Sequence, residues 1–307
     1  MKILITGAAG FIGSHLVEQL KEHEIYAIIK HSVRPPELPD YINPITADLL
    51  DIHSLKKAVA MSQPEIVVHL AAMTPVRYSF NNPFIYAQTN YIGTMNMVHV
   101  SLESPVLKKF IFASTAETYK PTDRLLKETD ELSGSTPYGV SKVAADLYVR
   151  MAGKCLNLPF IIMRPSNTYG RKTEKGYLVE KVVTTMLNSD KLVLDGSPSS
   201  VRDYMYIDDH VRGYVAAINI PTRNDVFNIS TGVFTSVGKL VDIAAQVLDW
   251  HGKVFFGGKE RQYDPESLVL DNSKAKELLK WSPVVKLEDG IKKVADYWRD
   301  KDGEKVK

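Results

Sequence analysis

Cysteine is almost missing: Cys155 is the only one among 307 residues. No disulfide can close within the chain, and no cage of thiolates can hold a metal, so a reducing cytoplasm is the expected compartment. Long apolar runs are also missing, none approaching the ~20 residues that cross a bilayer. The opening Met1-Lys2-Ile3-Leu4-Ile5-Thr6-Gly7 lacks the longer apolar region and small-residue cleavage site of a secretion signal. Charge of one sign is scarce, with a net of +2, so neither nucleic acid nor a membrane is an expected partner. His69 has no second histidine or carboxylate at metal spacing, and no metal site is expected. There is no internal repeat and no low-complexity tract. What is present is ordinary for a folded chain: 44% hydrophobic and 24% charged residues, enough for one large domain or two smaller ones.

The chain begins with a short buried strand at Ile3-Leu4-Ile5, a glycine turn, and the helical pattern of Leu16, Val17 and Leu20. Strand, glycine turn and helix in that order form a pyrophosphate-binding context. Gly7 permits the tight turn, Gly10 lets backbone N–H groups reach phosphate, and Gly13 lets the helix lie close to the sheet. Phe11 and Ile12 open that helix. The spacing is G-x-x-G-x-x-G. A second strand, Ile25 to Ile29, runs into Lys30-His31-Ser32-Val33-Arg34. No carboxylate stands there for a ribose 2′-hydroxyl, and Lys30 and Arg34 suit a 2′-phosphate, so NADP is expected over NAD.

Further strands are predicted at Ile42 to Thr46, Glu65 to Leu70, Lys109 to Phe112 and Phe160 to Met163, with helices at about 52–61, 83–102 and 137–155. That alternation predicts a doubly wound parallel α/β sheet of the Rossmann type. The strand through Leu70, expected on the cofactor, ends in the small residues Ala71 and Ala72, which let a planar cofactor lie close to the backbone. His69 reads as a packed strand residue. In the second half, helices are predicted at 176–188, 206–220, 235–250, 273–279 and 287–298, with strands at 191–194 and 226–229. Trp250, Trp281 and Trp298 are expected to pack a smaller domain or its edge.

Tyr138-Gly139-Val140-Ser141-Lys142 follows Pro137, which helps start a helix. Tyr138 and Lys142 share one face of it. A lysine cation one turn away favours the phenolate, so Tyr138 is expected to serve as a base near neutral pH.

The chain resembles the extended short-chain dehydrogenase/reductase family, the nucleotide-sugar epimerases and dehydratases. The residues that carry the resemblance are Thr6 to Gly13, Ala47-Asp48-Leu49, His69 to Ala72, Asn90, Ser114-Thr115, Tyr138-x-x-x-Lys142, Arg164 to Gly170 and Arg202 to Asp209. They fall in the family's order. The resemblance implies a cofactor domain over 1–165, with 206–230 returning to it, and an α/β substrate domain over 166–307. It implies that Asp48 and Leu49 flank the adenine, that Asn90, Ser114 and Pro165 lie along the cofactor, and that Lys142 holds the nicotinamide ribose. It places Thr115 on the substrate hydroxyl beside Tyr138, with Asn167, Arg202, Arg261 and Asp264 on the rest of a nucleoside-diphosphate sugar. A homodimer is expected by the same analogy.

The family's shared first step removes the C4 hydrogen of the sugar. Three outcomes stay open. Reduction from the other face gives a 4-epimerase, the first expectation. Loss of water gives a 4,6-dehydratase, and hydride running the other way gives a keto-sugar reductase. By the same resemblance Glu117, in the place where the dehydratases carry an acid/base pair, would abstract a C5 proton and counts against a simple 4-epimerase, whereas Ala116 cannot donate to a departing C6 hydroxyl and counts against a dehydratase. A reductase of neutral carbonyls would have no use for Arg202 and Arg261. A cofactor-sensing scaffold would have no use for Tyr138, Lys142 and Thr115.

Overall fold

Strands covered on both faces read as apolar runs, and Lys2–Thr6, Ile66–His69, Lys109–Ala113 and Phe160–Pro165 of this chain's seven-stranded parallel sheet are of that kind, whereas the edge strand Ile42–Thr46 exposes Asn43, Pro44 and Thr46. The structure is a computed structural model describing residues 1–30, 38–257, 263, 265 and 267–304. The first half runs Lys2–Thr6 (β1), Phe11–Gln19 (α1), Glu24–Ile29 (β2), Ile42–Thr46 (β3), Ile52–Ser62 (α2) and Ile66–His69 (β4). Val76–Ser79 (α3), Pro83–Tyr86 (α4) and Gly93–Ser101 (α5) follow, then Lys109–Ala113 (β5), Pro137–Cys155 (α6) and Phe160–Pro165 (β6). The second half contains Asn167–Tyr169 (β7), Leu178–Asn188 (α7), Lys191–Leu194 (β8), Val201–Arg202 (β9), Tyr204–Tyr206 (β10) and Ile207–Asn219 (α8). It closes with Asp225–Ile229 (β11), Thr235–Ser236 (β12), Val237–Leu248 (α9), Lys253–Phe256 (β13), Ser267–Leu268 (β14), Ser273–Leu278 (α10) and Leu287–Glu304 (α11).

The strand order is β3-β2-β1-β4-β5-β6-β11, so the doubly wound sheet is as expected. Alternation along each strand divides the core into two layers. Ile3, Ile5, Val68, Ile111 and Ile161 face the layer that also holds Leu16, Val211 and Tyr214. Leu4, Val67, Phe110, Phe112 and Ile162 face Leu55, Met97, Ala145 and Val149. A third core joins α7, α9 and α11 through Val182, Leu240, Ala244, Ile291 and Trp298. β11 pairs with β6, and α8 supplies Val211 and Tyr214 to the first layer. Trp281 departs from expectation. It packs with Tyr214 and Ile229 in the main sheet's core, and its indole N–H donates to the Asp209 carbonyl at 2.9 Å.

The helix expected over 83–102 is wound unevenly. Residues Ala87–Ile92 form a π segment between α4 and α5. Such a bulge re-aims side chains, and this one turns Asn90 inward, where it is 1% exposed. His69 is packed as expected: Nδ1 lies 2.7 Å from the Thr6 hydroxyl and Nε2 3.0 Å from that of Thr94.

Lys109, at the buried start of β5, donates to the carbonyls of Ala217, Ile218 and Ile220 at 2.7, 3.1 and 2.5 Å. It caps the C-terminus of α8, where a cation is favoured. Burial lowers its pKa to about 8. Lys109→Met strands those carbonyls and is expected to cost about 2 kcal/mol in a urea melt at pH 7. The folded chain sheds this proton before the unfolded chain does. The wild type therefore gains on the variant as pH climbs from about 8 towards the usual lysine range.

Candidate active site

The strand order reverses direction at β1, and the loops after β1 and β4 meet there. Gly7 has φ +75°, and a Cβ on it would lie 2.8 Å from the Ala71 nitrogen. Gly10 N donates to Gly7 O at 3.0 Å, closing the turn. A Cβ on Gly13 would lie 2.1 Å from Gly7 O, so α1 can approach the loop only without a side chain there. Gly10 is the N-cap of α1 and offers no side-chain acceptor to the helix's first N–H groups, at Phe11 and Ile12. These features fit a dinucleotide pyrophosphate, which would take the bonds a cap would otherwise make. Ala71 N binds the Thr6 hydroxyl at 3.1 Å, and Leu70 N binds Thr6 O at 3.1 Å, so Leu70, Ala71 and Ala72 continue alongside the loop.

Thr136 caps α6 by accepting from Gly139 N at 2.9 Å, with Pro137 in the first turn. This fixes Tyr138 beside the end of β5. Thr115 hydrogen-bonds the Tyr138 phenol, and the Glu117 carboxylate acts on it electrostatically. Thr115 Oγ1 also accepts from Glu117 N at 3.3 Å, capping the short turn Ala116–Thr118. Thr115, Glu117, Tyr138 and Lys142 are thus brought to one place.

The expected electrostatics of Tyr138 need correction. Its phenol is 8% exposed, and burial pushes its pKa well above the usual tyrosine value, with Thr115 offsetting part of the rise. Lys142 donates to the Ala113 carbonyl at 2.5 Å and lies 4.3 Å from the centre of the Phe112 ring. Burial pulls Lys142 down to about 7, partly countered by Asp146. Helical spacing put the pair on one face, but burial is the largest influence on each group.

Asn90, expected along the cofactor, bonds two parts of the protein to each other. Its carbonyl accepts from Met73 N at 2.7 Å, and its amide donates to Met73 O at 3.0 Å and to Ser141 Oγ at 2.9 Å. It ties the loop after β4 to α6 at Ser141, the residue before Lys142. Lys30 is not a free cation either: its Nζ lies 3.0 Å from the Asp48 carboxylate. Leu49 is buried against Gly93, with its carbonyl held by Asn96 at 2.8 Å. Ser114 Oγ is bound to Asp146 at 2.7 Å, and Pro165 ends β6 opposite Ile229.

Of the residues expected on the substrate, Asn167 opens β7 and is exposed, with its N–H on Asp203 O at 3.1 Å. Arg202 is 7% exposed and donates to the carbonyls of Val201 and Pro265 at 2.8 and 2.7 Å. Arg34, Arg261 and Asp264 lie outside the described residues.

The sequence reading missed several neighbours. Arg171 lies 3.5 Å from the centre of the Tyr177 ring and 4.3 Å from that of Phe11, joining the start of α1 to the second half of the chain. Tyr177 also acts on the Tyr138 phenol. Asp146 stands one helical turn beyond Lys142, a spacing that was available as a signal. Arg164, a charge ending the apolar run Phe160 to Met163, was another.

A family model described as GDP-mannose 4,6 dehydratase matches residues 4–294. The chain belongs to that family. It is thus a member of the extended short-chain dehydrogenase/reductases that act as nucleotide-sugar epimerases and dehydratases. Among curated relatives, a putative UDP-glucose 4-epimerase from Methanocaldococcus jannaschii is 31% identical over 97% of this chain and 98% of its own. The solved UDP-glucose 4-epimerase of Thermotoga maritima, with UDP-glucose, superposes with a TM-score of 0.90. It is 31% identical and covers 98% of this chain and 99% of its own. The UDP-glucuronic acid 4-epimerase of Bacillus cereus, with UDP-glucuronic acid and NAD, gives a TM-score of 0.89 at 29% identity, covering 98% and 100%. No helix among the described residues of this family member is long and apolar enough to cross a membrane.

Proposed function

We propose that this protein is a UDP-hexose 4-epimerase that works through a tightly held nicotinamide dinucleotide. What supports the reading is the meeting of Thr115 and Tyr138 beyond the end of β5, with Lys142 one helical turn on against Ala113 and the apolar Ala116 where a dehydratase needs a proton donor. Full-length similarity to 4-epimerases supports it.

Gly7, Gly10 and Gly13 with the first N–H groups of α1 would hold the pyrophosphate, and Lys142 the nicotinamide ribose. The dinucleotide would supply a reversible hydride acceptor and a positive ring near Tyr138. Thr115 and Tyr138 would orient the sugar C4 hydroxyl, and Tyr138, as the phenolate that the positive ring would favour against the effect of burial, would take its proton and later return it. Burial excludes water from that exchange. Arg202, joined by Arg261, would hold the diphosphate away from the reacting carbon, so the sugar can present either face. Ala116 leaves the C6 hydroxyl without an acid, which disfavours loss of water.

Our reading of the cofactor moves to NAD. The sequence offered Lys30 and Arg34 to a 2′-phosphate, but Lys30 spends its charge on Asp48, and solved relatives carry NAD. A second copy of the chain would cover Phe84, Ile85, Val140 and Leu147, exposed on α4 and α6, to form a homodimer.

The test is incubation with UDP-, GDP-, dTDP- and CDP-hexoses without added cofactor, read by mass spectrometry and sugar chromatography. The expected product is a C4 epimer of unchanged mass from a UDP-sugar, and denatured protein releases NAD. Loss of water marks a dehydratase, and a need for added reduced cofactor marks a reductase; either result ends the epimerase reading.

A further inference from the structure

Arg164 heads the largest fully buried side chains among the described residues. Its Nε and Nη2 donate to Asp146 Oδ2 and Oδ1 at 2.9 and 2.8 Å. Ser114 Oγ donates to the same Oδ2 at 2.7 Å. Nη1 donates to the Tyr119 hydroxyl at 2.8 Å and to the Glu128 carbonyl at 3.2 Å. Tyr119 donates onward to Asn228 Oδ1 at 2.7 Å, and the Asn228 amide is held by the carbonyls of Leu126 and Asp271. Both members of the Arg164–Asp146 pair have no exposed side-chain surface. Apolar residues of the same volume commonly stabilise a core as well as a buried ion pair does, so stability is a weak reason for this one.

Its position supplies a better reason. Asp146 stands one turn beyond Lys142 on α6, Ser114 precedes Thr115, and Tyr119 follows the turn that carries Glu117. The network therefore grips both ends of the 114–119 segment and the helix opposite. We propose that Asp146, Arg164 and Tyr119 are positioning residues for the reaction: Asp146 anchors the part of α6 that carries Lys142 and aims Ser114-Thr115, while Arg164 and Tyr119 fix the turn bearing Glu117. The proposal rests on the epimerase reading for the reaction, but not for the electrostatics.

The groups facing Lys142 are few. From β5 come the Ala113 carbonyl and the Phe112 ring, and from β4 comes His69, which burial holds neutral at about 3. Tyr138, one turn back, is protonated. Asp146 is the carboxylate that acts on Lys142; Arg164 from β6 binds that carboxylate, and Tyr119 in turn accepts from Arg164.

Asp146→Asn, Asp146→Glu and Tyr119→Phe separate positioning from mere packing. In Asp146→Asn the alkaline limb of the kcat profile, where Lys142 loses its proton, should move down by about half a pH unit or more. Asp146→Glu should return it towards the wild type. Tyr119→Phe, which removes one hydroxyl, should lower kcat about tenfold with KM for the sugar nucleotide within about twofold. A lower melting temperature with an unmoved profile and unchanged kcat overturns the proposal. Titration of the Lys142 side chain by carbon NMR needs no turnover. A lower lysine pKa in Asp146→Asn than in wild type is expected, and an identical one overturns the proposal whatever reaction the protein performs.

Discussion

Tyr138→Phe is expected to reduce kcat on a sugar nucleotide by about a thousandfold, because a positioned general base contributes roughly two to four orders of magnitude. The phenol has Thr115 on its hydroxyl and sits 8% exposed at the start of α6. Phenylalanine keeps the ring, its edge contact with Tyr86 at 6.3 Å and the Thr136 cap, so the fold and the dinucleotide cleft survive. Cofactor affinity, read by fluorescence quenching, should stay within about twofold, and the thermal midpoint within a few degrees. The signature is therefore a loss in kcat at nearly constant binding. A variant that turns over at the parental rate would remove Tyr138 from the chemistry. A variant that merely fails to bind cofactor would make the tyrosine a packing residue.

The parts of this protein that the sequence revealed are those governed by local chemistry. Strands such as Ile3-Leu4-Ile5 and Val67-Val68 are covered on both faces, so apolar runs betrayed them. The glycine turn was visible because only glycine tolerates φ +75° at Gly7 and the approach at Gly13. Pieces of two or three residues, such as β7, β9 and β10, escaped because their pairing depends on distant partners and leaves no period. The π segment escaped for a related reason: Asn90 turns inward to meet Met73 and Ser141, contacts that no helical spacing announces.

The catalytic pair shows the sharper limit. Spacing placed Tyr138 and Lys142 on one face but carried no information on depth. Depth decides the direction of both pKa shifts, because desolvation acts on each group before its neighbours do. Lys30 and Asp48 follow neighbouring strands and meet only when β2 and β3 pair. A charge that reads as free in a sequence is free only until the sheet forms.

Gly13→Ala should be the most damaging single-atom change outside the catalytic pair. The added Cβ would sit 2.1 Å from Gly7 O and 2.7 and 2.8 Å from Cα and C of Ala8. All three are backbone atoms, so no rotamer relieves the clash, and either α1 must lift or the 7–10 turn must open. Overpacking with backbone displacement costs about 3 kcal/mol here, a fall of roughly 6 °C or more in melting temperature. The same displacement withdraws the N–H groups of Phe11 and Ile12 from the pyrophosphate, so dinucleotide affinity should drop at least about tenfold. Gly176→Ala is the matched control, because its added Cβ meets nothing within 4 Å. The pair should be measured side by side by calorimetry and by cofactor titration. Equal melting temperatures and equal affinities would mean that α1 does not lie as close to the glycine turn as described, and the pyrophosphate cradle would lose its physical basis.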